Sequence, residues 1–247
     1  MSSMLERKRT EILERLVCGI IKMMEHLSQN QKLNALDFSV DLSLCKESCE
    51  LALNGLTPYC TVNPPLNGRW GKVFPNKLKR NAKLIKSNKF VEKIVSEIVC
   101  SNRIRIRIYA FGDLSCIEDL EKWNEICRKC KRNDFWLSTR QDTILYEFFE
   151  NRKGKKPENM NILYSMPLVK TPEFLDKFLN KYGIGKSFIT TKKSESNCHA
   201  SKGITKNSKK CGSCTRCWNS KSVTYFNHGH MKDFGKLRDY LRGMLRK

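Results

Sequence analysis

Residues 103–115 read Arg103-Ile104-Arg105-Ile106-Arg107-Ile108-Tyr109-Ala110-Phe111-Gly112-Asp113-Leu114-Ser115. Isoleucine alternates with arginine over the first six positions. A period of two sends successive side chains to opposite faces of a strand. One face is apolar, and the other carries Arg103, Arg105 and Arg107. The predicted strand, residues 104–111, runs directly into a glycine, a carboxylate and a hydroxyl. Parallel α/β folds bind their ligands at this place, beyond the carboxyl ends of strands. Gly112, Asp113 and Ser115 are therefore the first candidate site residues. The structural alternative for Asp113 is a contact with the start of the following helix.

Downstream, strand and helix alternate. Hydrophobic periodicity predicts helices over 118–130, 143–150 and 172–182, the last opened by the Thr171-Pro172 start signal. Between and after them it predicts strands over 135–138, 161–166 and 187–191, with residues 222–226 as a candidate for one more. Alternation with short connections argues for right-handed crossovers and a parallel sheet. The fold class is α/β, and strands this short suit a partial (β/α) barrel as well as an open parallel sheet. Their ends are polar: Ser138-Thr139-Arg140, Ser165 and Thr190-Thr191-Lys192. Ser138 and Arg140 join Gly112 and Asp113 as candidate cofactor contacts in a shared cleft.

Upstream, apolar residues at helical spacing predict one amphipathic helix over residues 1–28 and another over 76–99. Residues 35–75 read as irregular, with Pro64, Pro65, Gly68, Gly71 and Pro75. The organisation expected is an N-terminal helix at 1–34, an α/β core at 35–191, and a cysteine-rich tail at 192–247. Residues 230–247 close that tail as a basic amphipathic helix.

The 247 residues hold 47 Lys plus Arg against 25 Asp plus Glu, a formal charge of +22. Such an excess concentrates polyanions, so nucleic acid is the candidate partner, with biased composition as the alternative. No apolar run reaches the ~18 residues that a membrane helix needs, so the expected location is the cytoplasm. In that compartment the 12 cysteines are expected to be reduced. Isolated Cys18, Cys100 and Cys116 then read as buried apolar fillers. Cys127 and Cys130 sit inside a predicted helix and read as unligated. Nothing in the sequence offers a phosphate loop, a nucleophile–base pair or a His-rich catalytic zinc site.

The tail is different. Cys211-Gly212-Ser213-Cys214-Thr215-Arg216-Cys217 sets three thiols at two-residue intervals, and Cys198 supplies a fourth from the far end of a loop. Four thiolates suit tetrahedral zinc, and the same spacing suits an iron–sulfur cluster. His199, His228 and His230 are substitute ligands. Lys209, Lys210 and Arg216 would offset the negative charge.

Several runs together resemble a known family. They are the early cysteine loop, Tyr109 to Ser115 with Trp123 behind it, Phe135-Trp136-Leu137-Ser138-Thr139-Arg140, and the cysteine run ending in Trp218. The chain resembles the phage gene-product-88 family of viral and plasmid proteins over about residues 38–230. More distantly it is similar to the radical S-adenosylmethionine superfamily of partial barrels. That second resemblance implies a cluster on Cys45 and Cys49, with S-adenosylmethionine bound to its open iron. Gly112 and Asp113 would then hold the cofactor's amino group. The third cysteine of the superfamily's loop is replaced by Ala52, and Cys60 is the nearest substitute. The expected function is an iron–sulfur or zinc protein of a virus or mobile element. It acts either as a divergent radical-type enzyme on nucleic acid or a small molecule, or as a non-catalytic, metal-stapled module that binds nucleic acid or a host protein.

Overall fold

The computed structural model describes residues 24–31, 33–41, 73–166, 173–190, 195–198 and 214–226. In chain order these form β1 (Ser28–Asn30), β2 (Ala35–Phe38), α1 (Val73–Ile85), α2 (Phe90–Ser101) and β3 (Arg105–Ile108). Next come α3 (Ile117–Lys129), β4 (Asp134–Thr139), α4 (Asp142–Tyr146), β5 (Met160–Met166), α5 (Glu173–Lys181) and β6 (Gly185–Thr190). A short α6 (Arg216–Asn219) and β7 (Ser222–Phe226) complete the described elements. The chain after α4 continues into a π-helical turn, Glu147–Asn151.

All seven strands lie in one sheet in sequential order. β1 runs antiparallel to β2, and every later pairing is parallel. Among the described residues the sheet does not close: β1 and β7 are its outermost strands.

Strand parity divides the molecule into two layers. On one face, Leu36, Phe38, Ile106, Ile108, Phe135, Leu137, Met160, Ile162 and Tyr164 join the main core. Helices α1 to α5 supply its other half through Ile85, Phe90, Ile94, Leu120, Trp123, Leu145 and Leu179. Sequential strand order with right-handed crossovers stacks the crossover helices on a single face in this way. Trp123 is fully buried, with the rings of Phe38, Phe90 and Tyr109 at 5.2, 5.3 and 6.3 Å, all edge to face. Each such pair adds about 0.5–1.5 kcal/mol beyond area burial.

A polar clasp fixes the sheet's antiparallel edge to the helices. Buried Glu97 of α2 accepts hydrogen bonds from the backbone N–H of His26 (3.0 and 3.2 Å) and of Leu27 (2.8 Å). Asn81 of α1 donates to the carbonyls of His26 (3.0 Å) and Ser39 (2.8 Å).

The parallel α/β architecture matches the sequence reading, and five boundaries are corrected. The helix expected over 1–28 lies outside the described residues up to 23, but residues 24–27 are not helical and Ser28 begins β1. Residues 35–38, read as irregular, form β2, too short to show periodicity. The single helix expected over 76–99 is two helices, α1 and α2, separated by the Ser87 and Asn88 turn. The third strand stops at Ile108, because Tyr109 takes a left-handed backbone (φ 58°). That reversal turns the ring, which alternation would place among the arginines, into the helix-side core. The helix expected over 143–150 keeps its place but changes pitch after Tyr146. The helix expected over 230–247 lies outside the described residues.

Candidate functional site

The other face of the sheet carries the arginines. Register sets Asp37, Arg107, Trp136 and Asn161 side by side on β2, β3, β4 and β5. The Arg107 guanidinium lies over the Trp136 ring at 5.0 Å, and that of Arg105 lies over Trp218 at 5.4 Å. The two indoles meet edge to face at 5.4 Å. Desolvation pushes the Asp37 carboxyl above its ordinary pKa, and the Arg107 charge and the Asn30 hydrogen bond offset part of that shift.

The cysteine tail docks on this face. Trp218 of α6 packs with Leu33, Ala35, Trp136, Leu163 and Val223 in a second apolar cluster, and Cys198 and Cys217 pack against it. Asn161 Nδ2 donates to the carbonyls of Cys217 (2.9 Å) and Ser220 (3.2 Å). From the other end of the loop, the Cys198 N–H donates to Thr224 O (3.1 Å), while Arg216 donates to Asn197 O (2.7 Å). Residues 195–198 and 214–218 are thus brought against the same part of the sheet.

Cys214 is half-buried just before α6. Among the described residues no three His, Cys, Asp or Glu side chains converge closely enough to hold an ion. Cys211, the remaining thiol of the tail set, lies outside the described residues, as do His199, His228, His230, Cys45, Cys49 and Cys60.

At the carboxyl ends of β3 and β4, each sequence candidate has a structural partner. Gly112 has a left-handed backbone (φ 82°), and a Cβ there would stand 2.4 Å from Val40 Cγ2. It lets the end of β3 pass close to the extension of β2, where Val40 N–H donates to Phe111 O (3.1 Å). Asp113 accepts from the N–H groups of Leu114 (2.8 Å) and Arg140 (3.0 Å) and from the Thr139 hydroxyl. It ties the end of β3 to the end of β4. Burial raises its carboxyl above the ordinary pKa, and these bonds offset part of the rise. Ser115 donates through both N–H (3.0 Å) and hydroxyl (2.7 Å) to buried Asp119 in the first turn of α3. Gly112, Asp113 and Arg140 therefore come together. Ser138 does not join them, because strand parity puts it on the face opposite Thr139, in register with Leu163.

Two isolated cysteines depart from the filler reading. Cys116 is exposed, since it sits at the start of α3 where the chain enters from the loop. Cys100 is half-buried and disulfide-bonded. Cys18 lies outside the described residues. Cys127 and Cys130 are buried side by side in the core, where loss of solvation pushes Cys127 far up and Cys130 up to about 11. Such thiols stay protonated and unreactive at neutral pH.

Sequence reasoning passed over Trp136, Trp218, Asp37 and Asn161 as site residues. A signal for Trp136 was present: it shares the parity of Ser138 on a strand whose other face is apolar. Asp37 carried none, because β2 was unrecognised.

A family model described as gene product 88 matches residues 39–220, more than half of the chain. Comparison with curated proteins and with solved structures finds no match. The match spans β3 to β6, the Asp113 strand end and the docked cysteine turn, and the chain belongs to the gene product 88 family.

Proposed function

We propose that the chain is a metal-stapled, nucleic-acid-binding protein, with zinc or an iron–sulfur cluster held by Cys198, Cys211, Cys214 and Cys217. One observation carries the reading. Cys198 and Cys217, at opposite ends of a polar loop, pack against the same Trp136–Trp218 cluster. Ordering that loop costs about 1–2 kcal/mol of backbone entropy per residue, and α6 is only four residues long. A bound metal offsets that cost directly. Four thiolates leave no open coordination position, so the centre holds shape rather than activating a substrate. The +22 charge supplies the attraction for a polyanion.

The radical-enzyme alternative has less support. Asp113 and Gly112 are engaged in joining β2, β3 and β4. Metal and sulfide analysis of anaerobically purified protein tests the staple. Cys198→Ser and Cys217→Ser should each lower bound metal and make residues 195–221 protease-sensitive. Unchanged metal content in both variants would overturn it. Absence of nucleic-acid binding at about 50 mM salt, where counterion release favours binding strongly, would overturn the partner.

A further inference from the structure

Two short basic runs stand apart in the sequence: Arg128-Lys129-Cys130-Lys131-Arg132 and Lys153-Gly154-Lys155-Lys156. The first ends α3, and the second precedes β5, with β4 and α4 between them. The fold joins them at the amino-terminal edge of the sheet. Arg128 donates to Lys155 O (3.1 Å). Asn159 Nδ2 reaches the carbonyls of Cys127 (3.0 Å), Cys130 (3.2 Å) and Asn133 (2.9 Å), so one amide holds the second loop to the first.

The second loop is held in shape. Lys153 has φ 53°, the Gly154 N–H donates to Phe148 O (2.8 Å), and Lys156 Nζ donates to Met160 O (2.8 Å). A Cβ at Gly154 would stand 2.4 Å from the Phe148 ring, so this loop runs flat against the core.

Charge pairing separates these cations. Lys129 pairs with Glu125 (2.8 Å), and Lys153 approaches Glu150 (4.0 Å). Lys131, Arg132 and Lys155 are exposed and form no ion pair among the described residues. A helix C-terminus attracts cations through its dipole, which accounts for Arg128 and Lys129. It does not account for Lys155, which comes from another segment.

We infer that this edge is the surface that docks the phosphate backbone of nucleic acid, with Lys131, Arg132 and Lys155 as its contacts. The inference rests on the nucleic-acid reading above and names where that partner sits. A backbone frame already held in shape adds no loop-ordering cost when its unpaired cations neutralise phosphates, and each neutralised phosphate releases counterions. The exposed side chains of the two runs are charged and offer no aromatic or aliphatic anchor, which favours a phosphodiester backbone over a lipid surface.

The test compares two variants of equal charge in the full chain. One carries Lys131→Gln, Arg132→Gln and Lys155→Gln. The other carries Lys79→Gln, Lys83→Gln and Lys86→Gln, a single exposed stripe on and just after α1. Binding of labelled duplex DNA and of single-stranded RNA is measured across a salt series. The edge variant should lose at least about tenfold in affinity and flatten the salt slope by about two to three, while the α1 variant stays within about threefold of the parent. A single Lys155→Glu variant should weaken binding in the same direction if the triple variant folds poorly. Equal losses in both triple variants, or no loss at the edge, would overturn the placement and leave the nucleic-acid reading standing. A parent protein that binds neither probe would overturn that reading itself. Edge-dependent binding to phosphatidylserine vesicles without nucleic-acid binding would assign the edge to a membrane surface and overturn the inference.

Discussion

Asn161 and Cys217 are joined by a hydrogen bond of 2.9 Å, from the side-chain amide on β5 to the backbone carbonyl in α6. The same nitrogen reaches Ser220 O at 3.2 Å, so one side chain closes the last carbonyls of a four-residue helix. This contact and the Trp136–Trp218 pair attach the cysteine tail to the sheet.

Asn161→Ala should leave both carbonyls without this donor and weaken tail docking by about 1–2 kcal/mol. Global unfolding should change less than local opening, because the main core on the other face is untouched. Hydrogen exchange of the Trp218 and Ser220 amides, both in helix-turn bonds, reads the effect. Exchange as slow as in the parent would refute the assignment of Asn161 as the tail's anchor.

Gly112→Ala should destabilise the whole domain by about 1–3 kcal/mol, the usual cost of a strained left-handed residue, with the added Cβ pressing on Val40. Gly183→Ala is the comparison, since its backbone is also left-handed but its Cβ would meet nothing within 4 Å. Urea melts of the two variants separate steric contact from backbone preference. Equal losses would mean that Val40 moves aside freely.

Asp37→Asn should change the pH dependence of stability. The folded-state pKa of Asp37 is raised, chiefly by desolvation. Its favourable contribution is therefore complete below the unfolded-state pKa and is lost as pH rises through the folded value. Relative to Asp37→Asn, the parent should be more stable at about pH 3 than at about pH 7. Denaturant titrations at both values measure the difference. A difference of the opposite sign would mean that the Arg107 charge outweighs burial.

Glu97→Ala should cost about 2–4 kcal/mol, since it strips the acceptor from the N–H groups of both His26 and Leu27 in a buried setting. The β1–β2 edge should loosen first, which protection of the β1 and β2 amides would report. Glu97→Gln should recover part of the loss, because the amide oxygen still accepts one bond. Full stability in Glu97→Ala would remove the clasp from the account of this edge.

The α/β class, the parallel strands from β3 to β7 and the unusual character of the cysteine run were legible in the residues themselves. Arg-Ile alternation, helical stripes and cysteine spacing are local patterns, and local geometry alone produces them. β2 was not legible, because four residues carry too few periods to separate a strand from a loop. Tyr109 was misplaced for a related reason: alternation assumes an extended backbone, and one left-handed residue reverses it. The partners of Gly112 and Asp113 were not legible, because position at a strand end does not reveal which backbone passes alongside. Only the tertiary structure brought Val40 against Gly112, the Arg140 amide against Asp113, and Trp218 onto Trp136. It also gathered two separate basic runs into one edge. Each of these pairings joins residues distant in the chain, so their geometry depends on how the sheet assembles and not on any pattern within one segment.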